Sequence, residues 1–283
     1  MKVEIFNVDH GQCAVITSPS GCRLMIDCGT LTEGDAYWWP SVHFSGESFL
    51  GLGVTNVDED HLTDFPMVMQ HAPPSWILTN PTIGYRELIA LKTDGMRSGV
   101  AGYARWLAAP KRPAVSSPPL DFSPVVVRWY WNPYSPGFID KTNDLSAVFV
   151  VQYGTFKILF AGDLEERGWT NLLRLPAFVQ DLASVKVFVA SHHGRENGCH
   201  STLFELCRPA LFIISDGAME FETQETTQWY RNRASGIPVI GTQDRRYVCT
   251  TRSDGSLQID AQANGSWLVT PVAVRTWPKQ KTA

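Results

Sequence analysis

Apolar residues along the chain gather in short stretches of strand length, separated by polar and glycine-rich turns. In the first 29 residues, apolar positions alternate and then run together, which predicts two strands joined by a turn at Gly11 and a third short strand over residues 23–29 that ends in a turn. Further strands are predicted at residues 125–131, 146–153, 156–161, 185–190, 211–215 and 239–240. A hairpin is predicted over residues 247–260, turning at Asp254 and Gly255.

Helical spacing of apolar residues appears between these strands. It predicts helices over residues 62–72, 84–108, 201–207 and 222–235 and a short helix or turn over residues 164–175. Residues 30–55 and the proline-rich stretch 110–124 are predicted to be loops. Strands and helices alternate in two halves, which predicts an α/β sandwich with two mixed β-sheets flanked by helices. We expect a single domain over residues 1–283, with an insert at about 66–124 that shapes the substrate cleft.

Composition and charge exclude several classes of protein. The net charge of −4 is unlike that of a protein that coats nucleic acid by bulk electrostatics, so any phosphodiester would have to be held locally. Six cysteines without a CxxC pair argue against a zinc ribbon or a disulfide scaffold and favour reduced thiols. With no signal-peptide pattern and no apolar stretch of membrane-spanning length, we expect a cytoplasmic protein without a membrane partner.

Three short segments collect the residue types that bind metals. They are Asn56-Val57-Asp58-Glu59-Asp60-His61, Phe160-Ala161-Gly162-Asp163 and Ser191-His192-His193-Gly194. Taken alone, each segment more often has a purely structural role. An acidic run is usually a solvated loop, an Asp after Gly at a strand end is usually part of a turn or a helix cap, and a His pair is usually hydrogen-bonded within the protein. Three carboxylates and an imidazole within six residues are costly to crowd together unless a cation neutralises them. Taken together, the segments predict a metal site.

The order of these motifs resembles that of the metallo-β-lactamase superfamily, and within it the branch similar to the DNA-uptake protein ComEC. The resemblance also includes Asp9-His10-Gly11-Gln12, Leu24-Met25-Ile26-Asp27-Cys28-Gly29 and Asn143-Asp144-Leu145-Ser146, and it runs from residue 1 to about residue 260. It implies an αββα sandwich and a metal-dependent hydrolase.

The resemblance also implies a set of ligands around two metals. The family's usual first motif is His-x-His-x-Asp-His, and here its two leading histidines are replaced by Asn56 and Asp58. The remaining implied ligands are Asp60 and His61 with His192 at one metal, Asp163 bridging both metals, and Asn143 or Asp144 where the family has a further histidine. Such an oxygen-rich set suits Mn²⁺ or Mg²⁺ better than Zn²⁺, with one or two ions bound.

The same resemblance suggests catalytic roles. Asp60 is expected to orient or deprotonate the attacking water, and His193 to protonate the leaving group or contact a phosphate oxygen. Asn143 is expected to contact substrate together with His193.

Three functions are compatible with these residues. The favoured one is metal-assisted hydrolysis of a phosphodiester, with nucleic acid or a nucleotide as the partner and the identity of any protein partner left open. The second is hydrolysis of an ester, lactone or lactam by a zinc-type site on the same fold. The third is a degenerate, non-catalytic binding or sensing module, since Asn56 is a poor metal ligand.

Overall fold

In the computed structural model, which describes residues 1–32, 36–109, 121–218 and 222–278, most strands belong to two sheets that pack face to face. The strands are β1 (Lys2–Ile5), β2 (Ala14–Thr17), β3 (Arg23–Ile26), β4 (Ala36–Tyr37), β5 (Phe49–Gly53), β6 (Pro74–Leu78), β7 (Val125–Tyr130), β8 (Val148–Tyr153), β9 (Phe156–Phe160), β10 (Val187–Val189), β11 (Leu211–Ile214), β12 (Ile237–Pro238), β13 (Arg245–Arg246), β14 (Val248–Thr250), β15 (Ser256–Ala261), β16 (Trp267–Val272) and β17 (Trp277–Pro278).

The helices lie mainly in the connections between strands. The α-helices are α1 (Pro40–His43), α2 (Glu59–Leu62), α3 (Phe65–His71), α4 (Tyr85–Leu91), α5 (Ser98–Ala108), α6 (Glu166–Leu172), α7 (Pro176–Leu182), α8 (Ser201–Leu206), α9 (Thr227–Arg231) and α10 (Thr251–Asp254). Short 3₁₀ helices cover Asn143–Leu145, Ser191–Gly194, Glu196–Gly198 and Glu222–Gln224. Among the described helices, none has both the length and the apolar character that a membrane crossing requires.

Both large sheets are mixed. The seven-stranded sheet has the order β16-β15-β1-β2-β3-β5-β6, antiparallel from β16 to β3 and parallel from β3 to β6. The six-stranded sheet has the order β14-β11-β10-β9-β8-β7, parallel from β14 to β9 and antiparallel from β9 to β7. Each sheet therefore contributes a group of parallel strands whose carboxyl ends share one edge.

Three apolar clusters separate four layers. Between the sheets, side chains such as Ile5 on β1 pack with those such as Phe149 on β8. On the outer face of the seven-stranded sheet, helices α2 to α5 contribute buried residues such as Phe65. On the outer face of the six-stranded sheet, helices α6 to α9 contribute residues such as Trp169. The predicted fold class, an αββα sandwich of two mixed sheets flanked by helices, is confirmed.

Several local predictions are wrong. Residues 30–55 were expected to be a loop, yet they include β5, which lies inside the seven-stranded sheet. The predicted hairpin over 247–260 is instead a crossing: β14 ends the six-stranded sheet, α10 follows, and β15 enters the other sheet. The predicted helix 84–108 is two helices, α4 and α5. The connector part of the predicted insert, residues 110–120, lies outside the described residues.

One buried carboxylate ties helix α7 to the six-stranded sheet. Asp181 accepts hydrogen bonds from Arg128 (2.5 and 2.7 Å), from the Tyr130 hydroxyl (2.7 Å) and from Lys157 Nζ (2.9 Å). Burial opposes ionisation of Asp181, but these donors outweigh it and lower its pKa to about 2. The ionised carboxylate is therefore stabilised in the folded state.

We predict that Asp181→Asn lowers the free energy of unfolding at pH 7 by about 2 kcal/mol, because the folded protein loses a carboxylate whose pKa lies below its unfolded value. A depressed carboxyl pKa stabilises the fold above the unfolded pKa. The difference between wild type and variant should therefore shrink below about pH 4 and be mostly gone near pH 2. Urea unfolding at several pH values measures it, with exposed Asp94→Asn as the control. A gap that is constant with pH would contradict this assignment.

Candidate metal centre

The carboxyl ends of the parallel strands in both sheets meet at one edge of the sandwich, and polar side chains gather there. Each comes from a segment that follows a buried strand. Asp27 follows β3, Asp60 and His61 lie in α2 after β5, Asp163 follows β9, His193 follows β10 and Ser215 follows β11.

Four of these residues form a tight group. Asp60, His61, Asp163 and His193 each offer a ligand atom, and these atoms all lie within 4.8 Å of one another. His61 Nε2 is 3.0 Å from Asp163 Oδ1, and His193 Nε2 is 3.1 Å from Asp60 Oδ2 and 3.5 Å from Asp163 Oδ1. Among the residues that the structure describes, this is the single group of three or more such side chains.

His61 is held from its far side by a fully buried carboxylate. Its Nδ1 lies 2.8 Å from Asp27 Oδ2. Asp27 also accepts hydrogen bonds from the Thr55 backbone N–H (2.7 Å), the Thr55 hydroxyl (2.5 Å) and Gln12 Nε2 (3.1 Å). A carboxylate behind an imidazole fixes the ring and directs Nε2 toward the group, as it does for histidines that bind metals.

His193 is held in the same manner by a backbone carbonyl. Its Nδ1 donates to the Ser215 carbonyl oxygen at 2.8 Å, which directs Nε2 toward Asp60 and Asp163. The backbone is left-handed at both His192 (φ 50°) and His193 (φ 52°), a conformation that costs free energy for residues with a side chain. The surrounding structure sustains this turn, and the turn places His193 in the group.

The two carboxylates and the two imidazoles of the group shift one another's pKa values. Burial on its own raises the pKa of Asp60 and of Asp163, but His61 and His193 outweigh it and hold both pKa values below the ordinary range. Burial lowers the pKa of both histidines, yet the carboxylates outweigh it and hold the pKa of His61 well above its ordinary value and raise that of His193. Positive charge at the Nε2 positions therefore stabilises the group.

This donor set fits a divalent cation. With each Nδ1 donating to Asp27 or to Ser215, a neutral imidazole presents its Nε2 lone pair to carboxylate oxygens that also carry lone pairs. Protonation of both rings relieves that repulsion, and so does a cation that accepts the nitrogen and oxygen lone pairs together. Two imidazoles and two carboxylates with supported second nitrogens are typical of a transition-metal site.

The two adjacent histidines have exchanged their expected positions. His192 was expected to be the ligand and His193 to face substrate, but it is His193 whose Nε2 joins the group. The side chain of His192 points instead toward Glu165, with Nδ1 3.5 Å from Glu165 Oε1. The physical reason is the left-handed turn, which turns the second ring of the pair inward.

Asn56 and Asp58 were expected as ligands, and the structure places neither of them in the group. Asn56 Nδ2 donates to Asn143 Oδ1 at 3.0 Å, and Asn56 Oδ1 accepts from the Asp58 backbone N–H. Asp58 pairs with Lys92 and accepts a hydrogen bond from the Thr142 hydroxyl at 2.9 Å. Their polar atoms are therefore used in bonds between protein segments.

Asn143 and Asp144 also lie outside the group. Asp144 Oδ1 accepts from the Gly168 backbone N–H at 2.9 Å, in the first turn of α6. Asn143 Nδ2 donates to Glu165 Oε1 at 2.9 Å. Without these four oxygen donors, the argument for Mn²⁺ or Mg²⁺ over Zn²⁺ loses its basis, because the remaining set is half imidazole.

Asp27 supports His61 from behind, and the sequence analysis assigned it no role. A signal was available, because a carboxylate directly after the apolar strand β3 has to find a partner when that strand is central in a sheet. Ser215 gave no such signal, since it acts through its backbone carbonyl.

Comparisons with known proteins give little beyond this geometry. No family model matches the chain, and no curated protein matches it. One similar solved structure is a crystal structure from Thermotoga maritima, assigned as a Zn-dependent hydrolase of the metallo-β-lactamase superfamily. It is 9% identical, and the match covers 88% of this chain and 97% of that chain with a TM-score of 0.42. At this identity and TM-score the likeness assigns no residue of this chain.

The exchange of the two histidines leads to a direct prediction. We expect His193→Ala to weaken Zn²⁺ and Mn²⁺ binding by about a hundredfold or more, because a direct ligand is lost, and His192→Ala to weaken it by less than about tenfold. Competition with a chromophoric chelator measures both dissociation constants, and circular dichroism checks that each variant is folded. Equal losses in the two variants would show that the assignment of His193 over His192 is wrong.

Proposed function

We propose that this protein is a metal-dependent hydrolase that cleaves phosphodiester bonds in nucleic acid or nucleotides. The observation that carries the proposal is the group of Asp60, His61, Asp163 and His193, with ligand atoms within 4.8 Å and both imidazoles supported from behind. A divalent ion in such a group acidifies a water molecule and withdraws charge from a phosphoryl oxygen.

The exposure of the four side chains supports a distinct role for Asp60. The side chains of His61, Asp163 and His193 are at most 5% exposed, whereas that of Asp60 is 34% exposed. Solvent and substrate therefore reach the group on the side of Asp60. We assign to Asp60 the orientation of the attacking water and the acceptance of its proton.

We assign to His192, and not to His193, the contact with substrate that the sequence analysis expected of His193. Both ring nitrogens of His193 already face protein groups, Ser215 on one side and the two aspartates on the other. His192 is 14% exposed and next to Glu165, which also accepts hydrogen bonds from Asn143 (2.9 Å) and Asn197 (2.7 Å). We assign contact with a phosphoryl oxygen or the leaving group to His192.

A cavity lined in part by Glu165 supports the proposal that the substrate extends beyond the scissile bond. It has a volume of about 450 Å³, and its lining combines the cations Lys141 and Arg167 with the carboxylates Asp144, Glu165 and Glu166. The cavity has no overall positive charge, so it offers a phosphodiester only the individual side chains of Lys141 and Arg167 as charged contacts. The choice of nucleic acid or nucleotide as the substrate rests on the motif resemblance to the ComEC-like branch.

We predict that His61→Ala and Asp163→Asn each lower metal-dependent kcat/KM on a generic phosphodiester, bis(p-nitrophenyl) phosphate, by about a hundredfold or more. The reason is that His61→Ala removes one of the four ligand side chains, and Asp163→Asn replaces a carboxylate with a neutral amide, which is a weaker metal ligand. The exposed histidine His71→Ala serves as the matched control and should keep wild-type activity.

The same measurement separates the competing functions. A p-nitrophenyl acetate arm reports ester hydrolysis, and metal analysis of the purified protein reports which ion is held. Cleavage of the acetate alone would replace the phosphodiesterase proposal with an ester hydrolase. A protein that gains no thermal stability from Zn²⁺ or Mn²⁺ would be a non-catalytic module.

A further inference from the structure

We infer that Glu59 is a positioning residue that fixes the metal-ligand pair Asp60 and His61 by docking helix α5 onto helix α2. This inference rests on the proposed metal site, since it concerns the segment that carries two of its four ligands. Glu59 itself lies next to Asp60 but contributes no atom to the group.

The carboxylate of Glu59 is the N-terminal cap of a helix 40 residues away in sequence. Its Oε1 accepts from the Gly99 backbone N–H at 2.8 Å, and its Oε2 accepts from the Val100 N–H at 2.9 Å. Helix α5 has no cap of its own, because its N-cap residue Arg97 makes no side-chain capping bond and its first turn has no acidic residue. Glu59 therefore supplies both the hydrogen bonds and the negative charge that this helix end needs.

The contact between the two helices is also close at the backbone. A Cβ at Gly99 would overlap the carbonyl oxygen of Leu62, the last residue of α2. Asp58, just before α2, pairs with Lys92 at the end of α4. Helix α2 is thus attached to the helical layer at both of its ends.

Helix α2 depends on such attachments because it has only four residues. A helix of that length does not form on its own, since nucleation costs more than one turn of hydrogen bonds returns. On its other side, α2 packs closely against the backbone of residues 28 and 29. A Cβ at Gly29 would lie 2.5 Å from the Asp60 carbonyl oxygen, and the Cys28 N–H donates to the His61 carbonyl at 2.9 Å. Asp60 and His61 are therefore held between this backbone segment and α5, and Glu59 fixes the α5 side.

A pair of variants distinguishes positioning from simple helix capping. Glu59→Gln keeps the size of the side chain but removes its charge and turns an N–H toward one of the α5 donors. Arg97→Ser in the same chain gives α5 a cap of its own and restores the net charge, but it does not restore the link to α2. We expect Glu59→Gln to lower the melting temperature and to weaken Co²⁺ binding by about tenfold, with a changed ligand-field absorption spectrum.

In the double variant, we expect the melting temperature to recover while Co²⁺ affinity and the spectrum remain altered. Recovery of all three would overturn the inference, because Glu59 would then act only as a helix cap or a distant charge. Wild-type Co²⁺ affinity in Glu59→Gln would overturn it as well. The variant His61→Ala distinguishes failure of this inference from failure of the proposed metal site. If wild type binds Co²⁺ no better than His61→Ala, the proposed metal site is wrong.

Discussion

Two aspartates and two histidines share a corner of the molecule from which water is largely excluded, and their charges have to balance there. The fold makes that balance possible by supporting each imidazole from behind, with the buried carboxylate of Asp27 at His61 and a backbone carbonyl at His193. Burial alone would keep the carboxylates protonated and the imidazoles neutral, and it is the close approach of the opposite groups that reverses both tendencies. The architecture around the site can be understood as the scaffold of this one electrostatic arrangement.

That scaffold works because both sheets end their parallel strands at the same edge. The seven-stranded sheet delivers Asp27 and the α2 segment, and the six-stranded sheet delivers Asp163, His193 and Ser215. The site therefore spans the interface of two sheets, and its geometry depends on how they pack. The apolar layer between the sheets, fully buried at residues such as Phe149 and Ile5, is what fixes their relative position.

The sequence predicted the layers well because apolar periodicity reports burial, and burial is what defines the layers. It failed where partners are distant in sequence. The side chains of residues 56–61 have four different destinations. Nothing local shows that Asn56 contacts Asn143, that Asp58 pairs with Lys92, that Glu59 caps α5 at Gly99, and that only Asp60 and His61 join the four-residue group. The choice of His193 over His192 depends on a left-handed turn that the surrounding structure imposes against intrinsic preference.

The hairpin predicted over residues 247–260 is wrong for a related reason. Strands of both sheets have the same local pattern of apolar residues, so the sequence does not show that β14 and β15 belong to different sheets. Its actual path places β15 beside β1, and the amino group of Met1 donates to the Ala261 carbonyl, 260 residues along the chain. Strand β1 (Lys2–Ile5) thus has one neighbour close behind it in the chain, β2 (Ala14–Thr17), and another far behind it, β15 (Ser256–Ala261). During synthesis, β1 therefore keeps one open hydrogen-bonding edge, on which wrong strand pairing can occur, until β15 has been made.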